Sequence, residues 1–232
     1  MRYFLFTIIL FSLSSSSTFE LELDSNGELL KSLYRNLNWD IIETTNDSII
    51  VSQKAIKESS LKAIKVEKIV NIPPELFADV IMNVGNYNSF LTNAESFKSK
   101  VIDVTPTDVI GYQHITVDFP FIDNREYYFY MSTNSPHIEF NDLISFWILL
   151  DPEINKNLIK MNENSVYLKQ GAGLWRWEQN AESDSFKISY MLSMDPGGSL
   201  PEFLIELINQ SSIVTLFRDV INKTISNMND SQ

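Results

Sequence analysis

The stretch NGELLKSLYRNL, residues 26–37, places Leu29, Leu30, Leu33 and Leu37 at helical spacing and predicts an amphipathic first helix. Three runs rich in β-branched residues follow at 39–45, 48–55 and 61–72, the first two separated by Asn46 and Asp47, and they predict short strands. Residues 73–84 open on two prolines and then set Leu76, Phe77, Val80, Ile81 and Val84 on one helical face, which predicts a second helix. From Lys100 to Asp195 the pattern is strand and turn, broken at Pro106, Pro120, Pro136 and Pro152. Within it FKISYMLSM, 186–194, alternates: Phe186, Ile188, Tyr190, Leu192 and Met194 share an apolar face, while Lys187, Ser189 and Ser193 predict a mostly solvated one. The last periodic run, about 200–227, carries Phe203, Leu204, Leu207, Ile208, Ser211, Val214, Phe217, Ile221 and Ile225 as an inward stripe. At 1.5 Å per residue such a helix is roughly 40 Å long, so it must lie across a whole sheet to bury that stripe.

The junction between strand and helix is DPGGSLPEF, 195–203. Gly197 and Gly198 can take positive φ or allow close approach, and Ser199 can cap a helix whose first turn tolerates Pro201. A helix, three strands, a helical insertion, many antiparallel strands and a terminal helix together predict an α+β fold, a curved sheet gripping one long helix.

Composition sharpens this picture. The chain has 232 residues, 44% hydrophobic, with 15 Phe, 9 Tyr and 4 Trp, enough to bury a core and to line a cavity besides. A formal net charge of -12 argues against nucleic acid as a partner, since phosphate contacts need clustered Lys and Arg, and it opposes anionic membrane surfaces. The absence of cysteine excludes disulfides, thiol nucleophiles, thiolate zinc sites and a lipid-modified cysteine anchor. Arg2, the apolar run YFLFTIILFSL and the small residues SSSST have the order of a secretory signal peptide, too short in its apolar part to span a bilayer, which takes roughly 20 residues. Residues 1–18 are therefore expected to be removed on export to a secreted or periplasmic location, leaving 19–232 as a single domain.

MDPGGSLPEFLIE, 194–206, resembles the junction before the C-terminal helix of START lipid-transfer domains. VGNYNSFLTN (84–93), FPFIDNREYYFY (119–130) and GAGLWRWEQ (171–179) resemble three further stretches of that family, in family order, so the likeness covers about residues 25–228. The resemblance implies a helix-grip fold around an apolar tunnel that holds a lipid or other hydrophobic small molecule. It implies no cofactor and no metal, a monomer that touches membranes transiently, and a lid made by the terminal helix and a neighbouring loop. Phe129, Met131, Tyr190, Leu192, Phe203 and Leu207 would line the tunnel, and Gly197 and Gly198 would form the hinge of the lid. Arg125 would either reach a ligand head group or make an ion pair with Asp123 or another carboxylate. The arginine with which members holding phosphatidylcholine contact the phosphate falls at Asn88 here, and Phe90 replaces the tryptophan usual nearby, which points to an uncharged, less polar or differently oriented ligand.

Arg176, out of phase with Trp175 and Trp177, reads either as solvent-facing, the favoured reading, or as a single charge among aromatics. His114 and His137 have no evident partner constellation, and the acidic residues read as solvated, so the chain is read as a non-enzyme. The rival readings are a polyketide cyclase or aromatase on the same fold, and a ligandless scaffold.

Overall fold

The computed structural model describes residues 25–35, 38–57, 61–118, 121–134, 142–180, 183–198 and 202–230, with side chains in the last span from 212 onward. The expected signal segment, His137, Ser199 and Pro201 lie outside these residues. The elements are α1 (Ser25–Tyr34), β1 (Asp40–Thr44), β2 (Ile50–Ala55), β3 (Lys62–Val70), α2 (Pro74–Met82), β4 (Phe97–Val104), β5 (Asp108–Ile115), β6 (Asn124–Ser132), β7 (Leu143–Leu149), β8 (Ser165–Tyr167), β9 (Gly171–Gln179), β10 (Phe186–Met194) and α3 (Glu202–Asp230). Two 3-10 turns, Val84–Ser89 and Ala94–Ser96, lie between α2 and β4. No helix among the described residues is long and apolar enough to cross a membrane.

The strands form one open, curved, ten-stranded sheet in the order β1-β2-β3-β10-β9-β7-β6-β5-β4, with β8 added alongside β6. All pairings are antiparallel except β6 with β8. Irregular register at Ile41/Glu43, Val101/Asp103 and Leu143/Ser145 marks bulges, which add twist and help the sheet bend. On the concave side Ile213, Val214, Phe217, Val220 and Ile221 of α3 pack with Phe77, Val80 and Ile81 of α2 against inward residues of the sheet. This is the α+β helix-grip architecture that the pattern predicts.

The opposite face differs from expectation. Ser189, Met191 and Ser193 of β10 are buried, not solvated, because α1 lies on the convex face and sets Leu29, Leu30 and Leu33 against Ala63, Ala172, Leu174 and Met191. Asn26 fixes α1 there with three hydrogen bonds: its Nδ2 donates to the carbonyls of Leu149 and Lys169, both at 2.9 Å, and its Oδ1 accepts from the Gly171 amide at 2.9 Å. Lys54 closes the other end of the helix by donating to the carbonyls of Ser32 at 2.6 Å and Arg35 at 3.0 Å, where the helix leaves its last oxygens without amide partners.

The stripe on α3 also drifts from the expected one. Val214, Phe217 and Ile221 are buried, but Thr224 is buried in place of Ile225, which is exposed. A period of 3.6 residues brings either the third or the fourth residue after Ile221 to the core. Thr224 fits because its hydroxyl donates to the Val220 carbonyl at 2.8 Å and leaves no polar atom stranded.

Candidate functional site

Alternation along the strands decides which side chains face α3. Tyr127, Phe129 and Met131 project inward from β6, Gln113 from β5, Trp147 from β7, Trp175 from β9, and Tyr190 and Leu192 from β10. Their neighbours in sequence pack on the α1 side. Two glycines make room for the rings. A Cβ on Gly173 would stand 2.6 Å from the Trp147 indole, and one on Gly111 would stand 2.3 Å from the Phe129 ring. Both rings therefore occupy the space a Cβ would fill, a close approach that only glycine permits.

The inward residues do not fill the space beneath α3. A cavity of about 230 Å³ lies among Leu91, Phe97, Ile115, Leu192, Met194, Ile213 and Leu216. A smaller one of about 90 Å³ lies among Ile81, Phe90, Phe129, Met131, Trp175 and Val220. They share Leu91, Phe97, Tyr127, Trp147, Tyr190 and Leu216, so a movement of those side chains joins them. Trp175 stacks on Tyr190 at 4.3 Å between ring centres and on Phe217 of α3 at 5.6 Å, a stiff aromatic column at the back of the cavity.

Asn93, Ser96, Ser212, Thr215 and Asp219 are the polar residues that line the larger cavity alone, and the wall common to both is mostly aromatic and aliphatic. Trp147 Nε1 donates to the Tyr190 hydroxyl at 3.0 Å, the Tyr127 hydroxyl donates to Gln113 Oε1, and the Tyr87 hydroxyl donates to the Ile81 carbonyl. Burial pushes the phenols of Tyr87, Tyr127 and Tyr190 above their usual range, so all three remain neutral. Asp219 of α3 lines the larger cavity, but Oδ2 accepts from the Thr92 amide at 2.7 Å and Oδ1 from the Thr92 hydroxyl at 2.8 Å. This pair ties the loop between the two 3-10 turns to the long helix beside the larger cavity.

Of the residues the sequence singles out, Phe129 and Met131 line the smaller cavity, Leu192 the larger and Tyr190 both. Phe203 and Leu207 lie in α3, in the span whose side chains are not described. Arg125 is not on the lining and makes neither of its expected contacts. Its hydrogen bonds go to main-chain carbonyls: Nε to Pro196 at 3.2 Å, Nη2 to Gly197 at 3.4 Å and Nη1 to Asp123. It braces the glycine turn from outside the cavity. Gly197 and Gly198 take φ of 63° and 72°, the left-handed region that favours glycine, and the Gly197 amide donates to Asp195 Oδ1 at 2.8 Å.

Arg176 corrects the favoured solvent-facing expectation and fits the alternative of a charge beside aromatic rings. It is buried on the α1 side, pairs with Asp142 through Nε and Nη2, and stacks over the Tyr34 ring at 4.8 Å. Asn88 stands apart from the cavity lining: Nδ2 donates to the carbonyls of Ala94 and Phe97, and Oδ1 accepts from the Ser99 amide at 3.1 Å, which knits the 3-10 segment to β4. Phe90 lines the smaller cavity, and His114 stands 3.3 Å from the Ser165 hydroxyl, away from it. Among the described residues no group of His, Cys, Asp and Glu could hold a metal ion.

Sequence reasoning missed Gln113, Tyr127, Trp147, Trp175 and the Thr92–Asp219 pair. Trp175 was within reach, since it stands directly across from Tyr190 in the β9–β10 ladder. Trp147 requires the β7–β9 register, which pairs it with Gly173 and carries no local sequence signal.

No protein-family model matches the chain, and no curated protein matches it in sequence. Solved structures do resemble it. The STAR-related lipid transfer protein of Xanthomonas axonopodis superposes with a TM-score of 0.63 at 14% identity, over 80% of this chain and 98% of that one. Human StAR-related lipid transfer protein 5 gives 0.63 at 13% identity, over 88% and 93%. Human STARD10 gives 0.58 at 16%, over 84% and 78%. Superposition at these TM-scores along most of both chains establishes that this chain has the helix-grip fold of START lipid-transfer domains.

Proposed function

We propose that the protein is an exported carrier that binds one lipid or other hydrophobic small molecule between its sheet and α3, as a monomer, and exchanges it by brief contact with membranes. The observation that carries this reading is the aromatic and aliphatic cavity beneath α3, with a few fixed polar groups on its wall. Its volume falls below the roughly 300–1,000 Å³ usual for ligand sites, so a whole lipid enters only as the loop near Leu91 or α3 moves outward. Binding is favoured over catalysis by the state of the lining. Its carboxylate, Asp219, is held by Thr92, and no acid and base converge there among the described residues. Lipid transfer by the structural neighbours bearing that name is consistent with the reading.

Extraction of the purified mature protein with organic solvent, followed by mass spectrometry, should release a hydrophobic molecule in about one-to-one ratio. An empty extract together with failure to take up any hydrophobic probe would sink the proposal. Export rests on the segment 1–18, and the mature protein should begin between about Ser16 and Glu20, within the boundary error of such readings. Recovery of intact Met1 in a soluble cytoplasmic fraction would refute that part.

A further inference from the structure

Among the described residues, two buried side chains on the cavity wall, Tyr190 and Gln113, each have a donor hydrogen that the protein leaves unused. Tyr190 is 5% exposed and accepts from Trp147 Nε1, and among the described residues its own hydroxyl proton has no acceptor. Gln113 commits Oε1 to Tyr127 and one Nε2 hydrogen to the Ser99 hydroxyl at 3.3 Å, and among the described residues the second hydrogen has no acceptor. The hydroxyls of Tyr87 and Tyr127, by contrast, are spent within the protein. A buried donor without a partner costs free energy, so a ligand that supplies an acceptor recovers it.

Charge narrows the ligand further. Among the described residues lining either cavity there is no Lys, Arg or His, and both Asp219 oxygens accept from Thr92. Arg125, which contacts the glycine turn, is committed to main-chain carbonyls. A phosphate, sulfate or carboxylate brought into this space would be desolvated without a counter-charge, which the apolar wall cannot repay.

We infer that the cavity selects an uncharged, mostly apolar molecule carrying a carbonyl- or hydroxyl-type oxygen, and that this oxygen accepts its hydrogen bond from the Tyr190 hydroxyl. The inference rests on the carrier reading and deepens it. Tyr190 suits the task because its ring is clamped by the stack on Trp175 and its oxygen by Trp147, so the proton is aimed before the ligand arrives. Burial also keeps the phenol protonated, and the donor persists through neutral and mildly alkaline pH.

Binding can be read from tryptophan emission, since Trp147 and Trp175 stand in the cavity wall. The probes are decane, decan-2-one and decyl phosphate, which differ in the polar group while sharing an apolar chain. Decan-2-one should bind the natural protein at least about tenfold more tightly than decyl phosphate, the factor that about 1.4 kcal/mol represents. Tyr190→Phe should weaken decan-2-one by about tenfold and change decane less than about twofold, a factor set by one hydrogen bond and one stranded acceptor. If Tyr190→Phe, which strands the Trp147 N–H, does not fold, Trp147→Phe with Tyr190→Phe removes donor and acceptor together and answers the same question. If neither variant folds, the order of decan-2-one and decyl phosphate on the natural protein decides. Equal loss for ketone and hydrocarbon, or decyl phosphate binding as tightly as decan-2-one, overturns the assignment and leaves the carrier reading intact. Failure of all three probes overturns both.

Discussion

At the scale of single residues, the cavity depends on atoms that are missing. Gly173 lies under Trp147, and a methyl group there would meet the indole at 2.6 Å, so Gly173→Ala must tilt the ring and strain its bond to Tyr190. Overpacking of this kind costs about 1–3 kcal/mol, and chemical denaturation should show that loss together with weaker uptake of any cavity probe. Gly85→Ala is the control, because a Cβ there would stand 3.6 Å from Val101, in ordinary contact, and its stability should stay within about 0.5 kcal/mol of the natural protein. The buried pair on the other face makes a second test. Asp142→Ala leaves the Arg176 guanidinium buried without its carboxylate and should cost about 3 kcal/mol in the same measurement. Why Arg176 misleads in the sequence is physical. An arginine alternating between tryptophans looks exposed if the sheet has one wet face, and only the placement of α1 over β9 makes that face dry. Phe129, Met131, Tyr190 and Leu192 were legible because strand parity alone puts them inward. Gln113 and Trp147 were not, since their inward direction is set by the register of distant strands.

Element by element, the sequence carries the order of helices and strands well, because each depends on local periodicity and turn chemistry. It does not carry the attachments between them, which are side-chain contacts between segments far apart. One such attachment joins the turn after β1 to α3: Arg218 donates through Nε and Nη2 to Asp47, both at 2.9 Å. Arg218 holds the Asp47 carboxyl well below the usual carboxylate range, with Thr45 adding a hydrogen bond at 2.6 Å. A carboxylate whose folded pKa lies below its unfolded value of about 3.9 binds fewer protons folded than unfolded, so its contribution is fully present above that value and is lost as pH falls through the folded one. The pair is substantially exposed, and solvent screening limits it to less than about 1 kcal/mol. The stability difference between the natural protein and Asp47→Asn should therefore be flat from about pH 8 to pH 5 and shrink below about pH 4. A difference that grows on acidification would assign the effect to another group.

For the molecule as a whole, the attachments decide where it can open. Beyond residue 212, α3 is tied by Arg218 to Asp47 and by Asp219 to Thr92. At its start it leaves a turn whose carbonyls Arg125 holds and whose two glycines both have positive φ. Entry of a ligand into a cavity this small then has two routes: the glycine turn changes its torsion angles and the front of α3 swings, or Thr92 releases Asp219 and the loop before β4 lifts. The routes separate by rate. Gly198→Val places a β-branched side chain at φ of 72°, where only glycine is comfortable, although a Cβ there has room beside Arg125 at 3.5 Å. Exchange of a fluorescent neutral lipid between zwitterionic vesicles should then slow more than equilibrium occupancy falls, because the substitution stiffens the hinge without touching the wall. Asp219→Ala should act in the opposite sense, raising the exchange rate as the loop loses both hydrogen bonds to the helix. If Gly198→Val folds and exchanges lipid at the natural rate while Asp219→Ala speeds it, the helix stays seated and the loop at Leu91 is the door. The net charge of -12 predicts one more dependence: exchange should fall when anionic lipid is added to the vesicles and recover with salt, since repulsion acts on the encounter and is screened over about 10 Å at 0.1 M ionic strength.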